Sequence, residues 1–182
     1  MFRFFLAFIF TLGLLFCAYV ALRLQYVLHN DVVLDPAVTA TLRTHGDLAI
    51  ASGDVPVAAV LLHGGRPIGA GHNTVLRDGN AGGHAEINAV SDAMHQLGSE
   101  RFRALDRDSL VMVTTFEPCA MCRGMLVEYR IGSVVFNEPK TLRHWICDDL
   151  RWVEYEWSKR DGGPKGLQDS LFRAHPAYDA EQ

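Results

Sequence analysis

The stretch TTFEPCAMCRGMLVEYRIGSVVF, residues 114–136, joins the end of one predicted strand to a Pro-Cys-x-x-Cys sequence and then to a second predicted strand. The first strand, SLVMVTT at residues 109–115, is rich in apolar and β-branched residues, which is typical of a buried strand. Cys119 to about Arg130 carries apolar residues at helical spacing, and residues 131–137 are again β-branched and apolar. A strand, a helix and a strand in succession predict an α/β domain.

The upstream sequence extends this architecture. Pro36 to about Ala51 is predicted to be helical, since a proline preceded by Asp35 is typical of a first helical turn. Residues 57–62 and 67–71 are predicted to form a hairpin around a Gly-Gly turn. Residues 84–97 carry apolar side chains at helical spacing. The predicted order is helix, hairpin, helix, strand, helix, strand, with a sheet between helices.

The sequence after residue 137 gives weaker patterns. In WVEYEW, residues 152–157, Val153, Tyr155 and Trp157 alternate with two glutamates, which predicts an edge strand. SKRDGGPKG is predicted to be a loop, and LQDSLFRA, residues 167–174, a short final helix.

The amino-terminal residues 1–23 are set apart by an uncharged run from residue 4 to residue 22, bracketed by Arg3 and Arg23. A helix of that length rises far enough to cross the apolar part of a bilayer. A cleaved signal peptide is the second interpretation, but Tyr19-Val20-Ala21 has a tyrosine where a small residue is needed, and Phe16 before Cys17 is not small enough for a lipoprotein site. We therefore predict a single-pass membrane anchor over residues 1–23 on an undetermined side of the membrane. A spacer over residues 24–35 and a domain over residues 36–182 follow it.

The charge of the chain bears on its partners. The whole sequence has 17 basic and 21 acidic residues, a net charge of −4, and the part after residue 23 has a net charge of −6. Proteins that bind a polyanion usually carry clustered positive charge on their surface. The composition therefore disfavours RNA as a partner without excluding it.

The Cys-x-x-Cys pair allows three interpretations: a redox couple, part of a structural zinc site, or part of a catalytic metal site. A structural zinc site needs a fourth protein ligand, for which Cys147 and His144 are the candidates nearest in sequence. A catalytic zinc site keeps one position open for water. His84, Cys119 and Cys122 would supply three ligands to one zinc ion per chain, and Glu86 lies close enough to His84 to move protons, provided that His84 begins its helix.

The sequence resembles the zinc-dependent cytidine and deoxycytidylate deaminase superfamily. Its nucleobase deaminases carry the signature His-x-Glu followed by Pro-Cys-x-x-Cys, which here reads His84-Ala85-Glu86 and Pro118-Cys119-Ala120-Met121-Cys122. The resemblance covers about residues 40–137 and is strongest to the branch of tRNA adenosine deaminases and guanine deaminases. It implies a three-layer fold in which a central mixed sheet lies between helices.

The resemblance also implies roles for single residues. His84, Cys119 and Cys122 would hold zinc, a zinc-bound hydroxide would attack the base, and Glu86 would carry the protons. Asn73 matches a family asparagine that contacts the base, and the backbone around Ala85 and Pro118 would lie beside the substrate. The family often has Pro-Thr-Ala before the zinc histidine, where this chain has Ala-Gly-Gly at residues 81–83.

These observations predict a zinc-dependent hydrolytic deaminase of a nucleobase, nucleoside or nucleotide. Two alternatives remain open: a deaminase of adenosine in tRNA, and a non-catalytic binding module that zinc stabilises. The resemblance further implies a homodimer.

Overall fold

The computed structural model describes residues 2–24, 32–160, 162, 164 and 166–175. Within them, the helices are α1 (Phe2–Leu24), α2 (Pro36–Ala51), α3 (Val75–Asp78), α4 (Ala85–Leu97), α5 (Ser99–Arg103), α6 (Ala120–Glu128), α7 (Leu142–Ser158) and α8 (Leu167–Ala174). The strands are β1 (Ala58–His63), β2 (Arg66–His72), β3 (Leu110–Phe116) and β4 (Ser133–Glu138). The predicted spacer, residues 24–35, lies largely outside the described residues.

The four strands form one mixed sheet in the order β2-β1-β3-β4. β1 pairs antiparallel with β2 and with β3, whereas β3 pairs parallel with β4. Parallel neighbours need a crossover connection, and α6 supplies it. The stretch at residues 114–136 therefore forms the predicted strand, helix and strand.

Helices cover both faces of this sheet. On one face, Val38 and Leu42 of α2 pack with Ala58, Val60 and Leu62 of β1. On the other face, the alternate β1 residues Ala59 and Leu61 pack with residues of α4, α5 and α6: Ala85, Ala89, Val90, Ala93, Phe102 and Leu126. Alternation along β1 thus gives each helical layer its own core. The predicted three-layer α/β arrangement is confirmed.

Helix α4 lies unusually close to strand β2. A Cβ atom at Gly71 would stand 2.5 Å from the Ala89 nitrogen and 2.6 Å from the Ala85 carbonyl oxygen. Both contacts are backbone atoms, which cannot move without shifting the helix. Glycine at position 71 therefore sets the position of the first turn of α4, where His84 and Glu86 lie.

We expect Gly71→Ala to lower the free energy of unfolding by about 1–3 kcal/mol, the usual cost of overpacking. The same change should weaken zinc binding, since the added methyl group displaces the start of α4. Gly46→Ala is the control, because a Cβ there meets nothing within 4 Å and alanine favours a helix. Denaturant unfolding and zinc titration of both variants measure these effects. Equal stability of the Gly71 and Gly46 variants would contradict the account.

The predicted edge strand at residues 152–157 is wrong, because those residues form part of α7. The helix begins earlier, where the Thr141 side chain accepts a hydrogen bond from the His144 nitrogen, and the buried Trp145 holds it against the domain. Val153, Tyr155 and Trp157 are all exposed. Their alternation therefore does not mark a face buried in a sheet. The predicted final helix is confirmed as α8.

The predicted membrane anchor is also wrong. A span requires about 20 consecutive, predominantly apolar residues that face lipid, and in the part of the chain that the structure describes no helix satisfies both length and apolarity. Helix α1 instead contacts the domain, since the Tyr19 hydroxyl donates a hydrogen bond to Asp149 Oδ2 of α7 at 2.6 Å. The predictions of a transmembrane helix, of a single-pass membrane location and of a membrane partner through residues 4–22 are corrected accordingly.

Candidate metal centre and adjoining cavities

Three predicted ligands meet at one point beside the sheet. His84 Nδ1 lies 3.6 Å from the sulfur of Cys119 and 3.6 Å from that of Cys122. The two sulfurs are 3.7 Å apart. Among the described residues, these three form the one group of His, Cys, Asp and Glu side chains with metal-binding spacing.

These spacings can be tested against the geometry of zinc. Tetrahedral zinc with bonds of about 2.3 Å to sulfur and about 2.0–2.1 Å to nitrogen separates two sulfurs by about 3.8 Å, and sulfur from nitrogen by about 3.6 Å. The three distances between the ligand atoms agree with these values. The donor set of one imidazole and two thiols therefore fits zinc with a fourth position left for another ligand.

The ligands are held at the starts of two helices. His84 is the N-cap residue of α4 and Cys119 is the N-cap residue of α6, both with extended backbone angles. The positive ends of two helix dipoles thus face the sulfur atoms, which favours thiolates. Since His84 precedes the first turn, Glu86 can share its side of α4, as the sequence analysis required.

The two thiols are electrostatically coupled. Their contact lowers the pKa of Cys119 to about 5, with a smaller contribution from the charge on His84. The same contact, together with burial and the carboxylate of Glu86, raises the pKa of Cys122. A divalent cation bound at this point would favour the deprotonated form of both thiols.

Glu86 is a buried carboxylate with only 3% of its surface exposed. Its Oε2 lies 3.3 Å from the sulfur of Cys122. Burial raises the pKa of Glu86, so the side chain can both accept and release a proton closer to neutral pH than an exposed glutamate.

The loop before His84 is fixed by close backbone contacts. A Cβ atom at Gly83 would stand 2.6 Å from Thr74 Oγ1, and the Gly83 carbonyl accepts a hydrogen bond from the Thr74 nitrogen at 2.7 Å. The Asn88 side-chain amide donates to the His72 carbonyl and to Thr74 Oγ1, at 2.8 and 3.2 Å. The Ala-Gly-Gly sequence at residues 81–83 therefore forms a compact loop that presents His84 to the thiols.

A cavity of about 410 Å³ opens on this centre. His84, Glu86 and Cys119 line it, and so do Asn73 and Ala85, both predicted to contact substrate. Pro118, the third predicted contact, is buried and does not line the cavity. The other lining residues are mostly apolar: Val55, Val57, Val75, Leu76 and Phe116, with Glu117 and Lys140.

Glu117 and Lys140 belong to a hydrogen-bond network that the sequence did not predict. Glu117 accepts hydrogen bonds from the Lys140 backbone nitrogen at 2.8 Å and from Trp145 Nε1 at 3.0 Å. Lys140 Nζ in turn donates to Asp148 Oδ2 at 2.6 Å. The network ties α7 to the loop that carries Cys119. Strand β3 ends at Phe116, so its alternation does not extend to Glu117, and nothing in the sequence signals Lys140.

The two candidates for a fourth protein ligand lie elsewhere. Cys147 is exposed on α7, and His144 Nδ1 contacts Thr141 Oγ1 at 3.0 Å. Neither belongs to the group with metal-binding spacing in the described part of the chain. The open fourth position favours a catalytic over a structural metal centre.

Comparison with known proteins supports this description. The model of the family described as "Cytidine and deoxycytidylate deaminase zinc-binding region" matches residues 35–138. The chloroplastic tRNA(adenine(34)) deaminase of Arabidopsis thaliana is 36% identical over 127 residues, which are 69% of this chain and 9% of that protein. A tRNA-specific adenosine deaminase of Buchnera aphidicola is 35% identical over 96 residues, 52% of this chain and 56% of that protein. The chain thus spans less than two thirds of either relative.

A solved structure shows the same fold. The guanine deaminase of Bacillus subtilis matches with a TM-score of 0.58 and 22% identity, over 79% of this chain and 96% of that one.

Proposed function

The chain belongs to the cytidine and deoxycytidylate deaminase zinc-binding family, and from that premise we propose that it is a zinc-dependent hydrolytic deaminase of a nucleobase, nucleoside or nucleotide. The observation that carries the proposal is the juxtaposition of three ligand atoms at zinc spacing with the buried Glu86 carboxylate. Both border one cavity with mostly apolar walls. Such a cavity suits a flat heteroaromatic ring.

His84, Cys119 and Cys122 would hold zinc, which would supply a water molecule of lowered pKa as the nucleophile. Glu86 would accept a proton from the attacking water as a new C–O bond forms at the ring carbon that bears the amino group. Glu86 then delivers the proton to the ring nitrogen. When the C–N bond breaks, the proton of the newly added hydroxyl group passes through Glu86 to the departing amine and the C–O bond becomes a carbonyl, so one water is consumed and one ammonia is released. The raised pKa of Glu86 suits a group that alternates between base and acid.

Binding and orientation of the base fall to the residues that line the cavity. The backbone of Asn73 is held in place because its N–H group donates a hydrogen bond to the Val57 carbonyl oxygen at 3.0 Å. Its side-chain amide has the donor and acceptor groups to read a heterocycle. Ala85 lies at the same wall. We assign Asn73 and Ala85 to substrate binding on this basis. Pro118 is buried and does not line the cavity, so its role beside the substrate is limited to positioning the neighbouring Cys119.

Ammonia release by the zinc-loaded full chain tests the proposal. The panel holds adenine, guanine and cytosine, their nucleosides and 5′-monophosphates, and a tRNA anticodon stem-loop. We expect turnover on at least one member and none after the zinc is removed. Absence of ammonia from every member, with zinc bound, would contradict the proposal.

Deamination of adenosine in tRNA is the second candidate. It is favoured by the 36% and 35% identity to two tRNA deaminases and opposed by the net charge of −4. Affinity for a polyanion falls steeply with salt, because counterions are released on binding. A gel shift with tRNA that weakens strongly with salt would support this candidate, and no shift at low salt would remove it.

We further propose that the protein is a homodimer. The proposal rests on family resemblance and on exposed apolar side chains of α6 and β4: Met121, Val127 and Val134 are 42%, 76% and 37% exposed. Light scattering on the full chain should give twice the mass of 20.2 kDa. A monomer mass at working concentrations would contradict this prediction.

A further inference from the structure

A second cavity, of about 370 Å³, also borders the metal centre. It shares His84 and Cys119 with the first cavity. Its outer wall comes from α7, which lies beyond the family-matched residues 35–138. A substrate whose reacting carbon lies at the metal centre can therefore extend into both cavities, whereas a free base fills only one of them.

The charges of the second cavity favour an anion. The carboxylate of Asp148 is neutralised by Lys140, whose Nζ lies 2.6 Å away. The side chain of Arg151, on the same wall, makes no hydrogen bond or ion pair with any residue that the structure describes. One positive charge thus remains uncompensated there. A guanidinium presents a planar fork of donors that matches a phosphate group.

The remaining α7 residues of this wall are aromatic. Trp152 and Tyr155 are 58% and 54% exposed, and their ring centroids lie 5.6 Å apart at an interplanar angle of 43°. Exposed rings with polar tips suit contact with a sugar that is apolar on one side and hydroxylated on the other. Arg151, Trp152 and Tyr155 together thus provide an anion contact beside a sugar-sized surface.

We propose that this second cavity binds the phosphate of a nucleotide substrate, with Arg151 contacting the phosphate and the two rings lying against the sugar. The proposal rests on the deaminase function proposed above and narrows its substrate class to nucleoside monophosphates. It makes α7 a determinant of specificity that the family match does not include.

Binding to the zinc-loaded Glu86→Gln chain tests the proposal, since we expect this variant to bind substrates while turning them over about 10²- to 10⁴-fold more slowly. Calorimetry gives the dissociation constants of adenine, guanine and cytosine, their nucleosides and their 5′-monophosphates. We expect at least one monophosphate to bind about 10- to 100-fold more tightly than its nucleoside, the usual worth of charge-assisted hydrogen bonds. Arg151→Ala in the same background should remove that preference, and Arg151→Lys should keep part of it.

Arg143→Ala is the matched control, because Arg143 is exposed on the same helix and lines neither cavity. It should leave the preference for the monophosphate unchanged. Equal affinity for nucleoside and monophosphate, or equal losses in the Arg151 and Arg143 variants, would overturn the proposal. So would an anticodon stem-loop that loses affinity on Arg151→Ala while no mononucleotide is preferred, since the anion would then be an RNA backbone. Ammonia release by the wild-type protein reports separately on the deaminase function.

Discussion

Glu86→Gln is expected to lower kcat for ammonia release by about 10²- to 10⁴-fold, the usual contribution of a general acid–base. Glutamine has nearly the same shape, so the pocket that buries Glu86 to 3% exposure should accommodate it. An amide cannot accept a proton from the attacking water or return one to the base. Steady-state ammonia assays of wild type and variant, each at full zinc occupancy, give the ratio.

Glu128→Gln is the control for this substitution, because Glu128 is exposed on α6 and lines neither cavity. It removes the same charge and should leave kcat within about twofold. The Glu86 variant should also bind one zinc per chain, since its carboxylate is not among the three ligands. A Glu86→Gln enzyme as active as Glu128→Gln would show that another group moves the protons.

Removal of zinc is expected to destabilise the domain and abolish turnover. A ligand present at about a thousand times its Kd stabilises the native state by about 4 kcal/mol. For a chain of this size, that corresponds to a fall in Tm of about 8–16 °C on chelation. Cys122→Ala should show the lower Tm with or without zinc, because the fully buried Cys122 sulfur is one of three ligands. Thermal unfolding with zinc and with a chelator measures both effects.

Cys147→Ala distinguishes a catalytic zinc site with three protein ligands from a structural site in which Cys147 would be the fourth. Cys147 is exposed on α7 and lies outside the ligand group. The variant should therefore keep the dependence of Tm on zinc. If Cys147→Ala loses the dependence of Tm on zinc as fully as Cys122→Ala does, the metal centre would be a structural site with four protein ligands and not a catalytic one.

Local sequence patterns were enough to predict the layered core, and the resemblance to the deaminase signature predicted that the three ligands meet. Continuous apolar runs at residues 57–62 and 109–115 predict buried strands, and the His-x-Glu and Cys-x-x-Cys sequences stand where two helices begin. Helices that start at the same edge of a sheet bring their first turns together. Their N-cap residues, His84 and Cys119, therefore meet without any further signal in the sequence.

The tail could not be predicted in the same way. WVEYEW alternates like a strand, yet a helix that begins after Thr141 continues through it, and no local pattern reveals so distant a start. The contact of Tyr19 with Asp149 and the pairing of Glu117 with Trp145 join segments far apart in the chain. A single sequence contains no direct record of such contacts. For the same reason, the second cavity was not anticipated.

Titration of zinc into the metal-free full chain, with ammonia release measured on the substrate panel, tests the central claim most directly. We expect turnover to rise in proportion to bound zinc and to reach its maximum at one zinc per chain. In Glu86→Gln it should stay at least about 10²-fold lower at every zinc level. Saturation with one zinc per chain and no ammonia from any member of the panel, with wild type and Glu86→Gln indistinguishable, would contradict it. The metal would then stabilise a binding module instead of serving a deaminase.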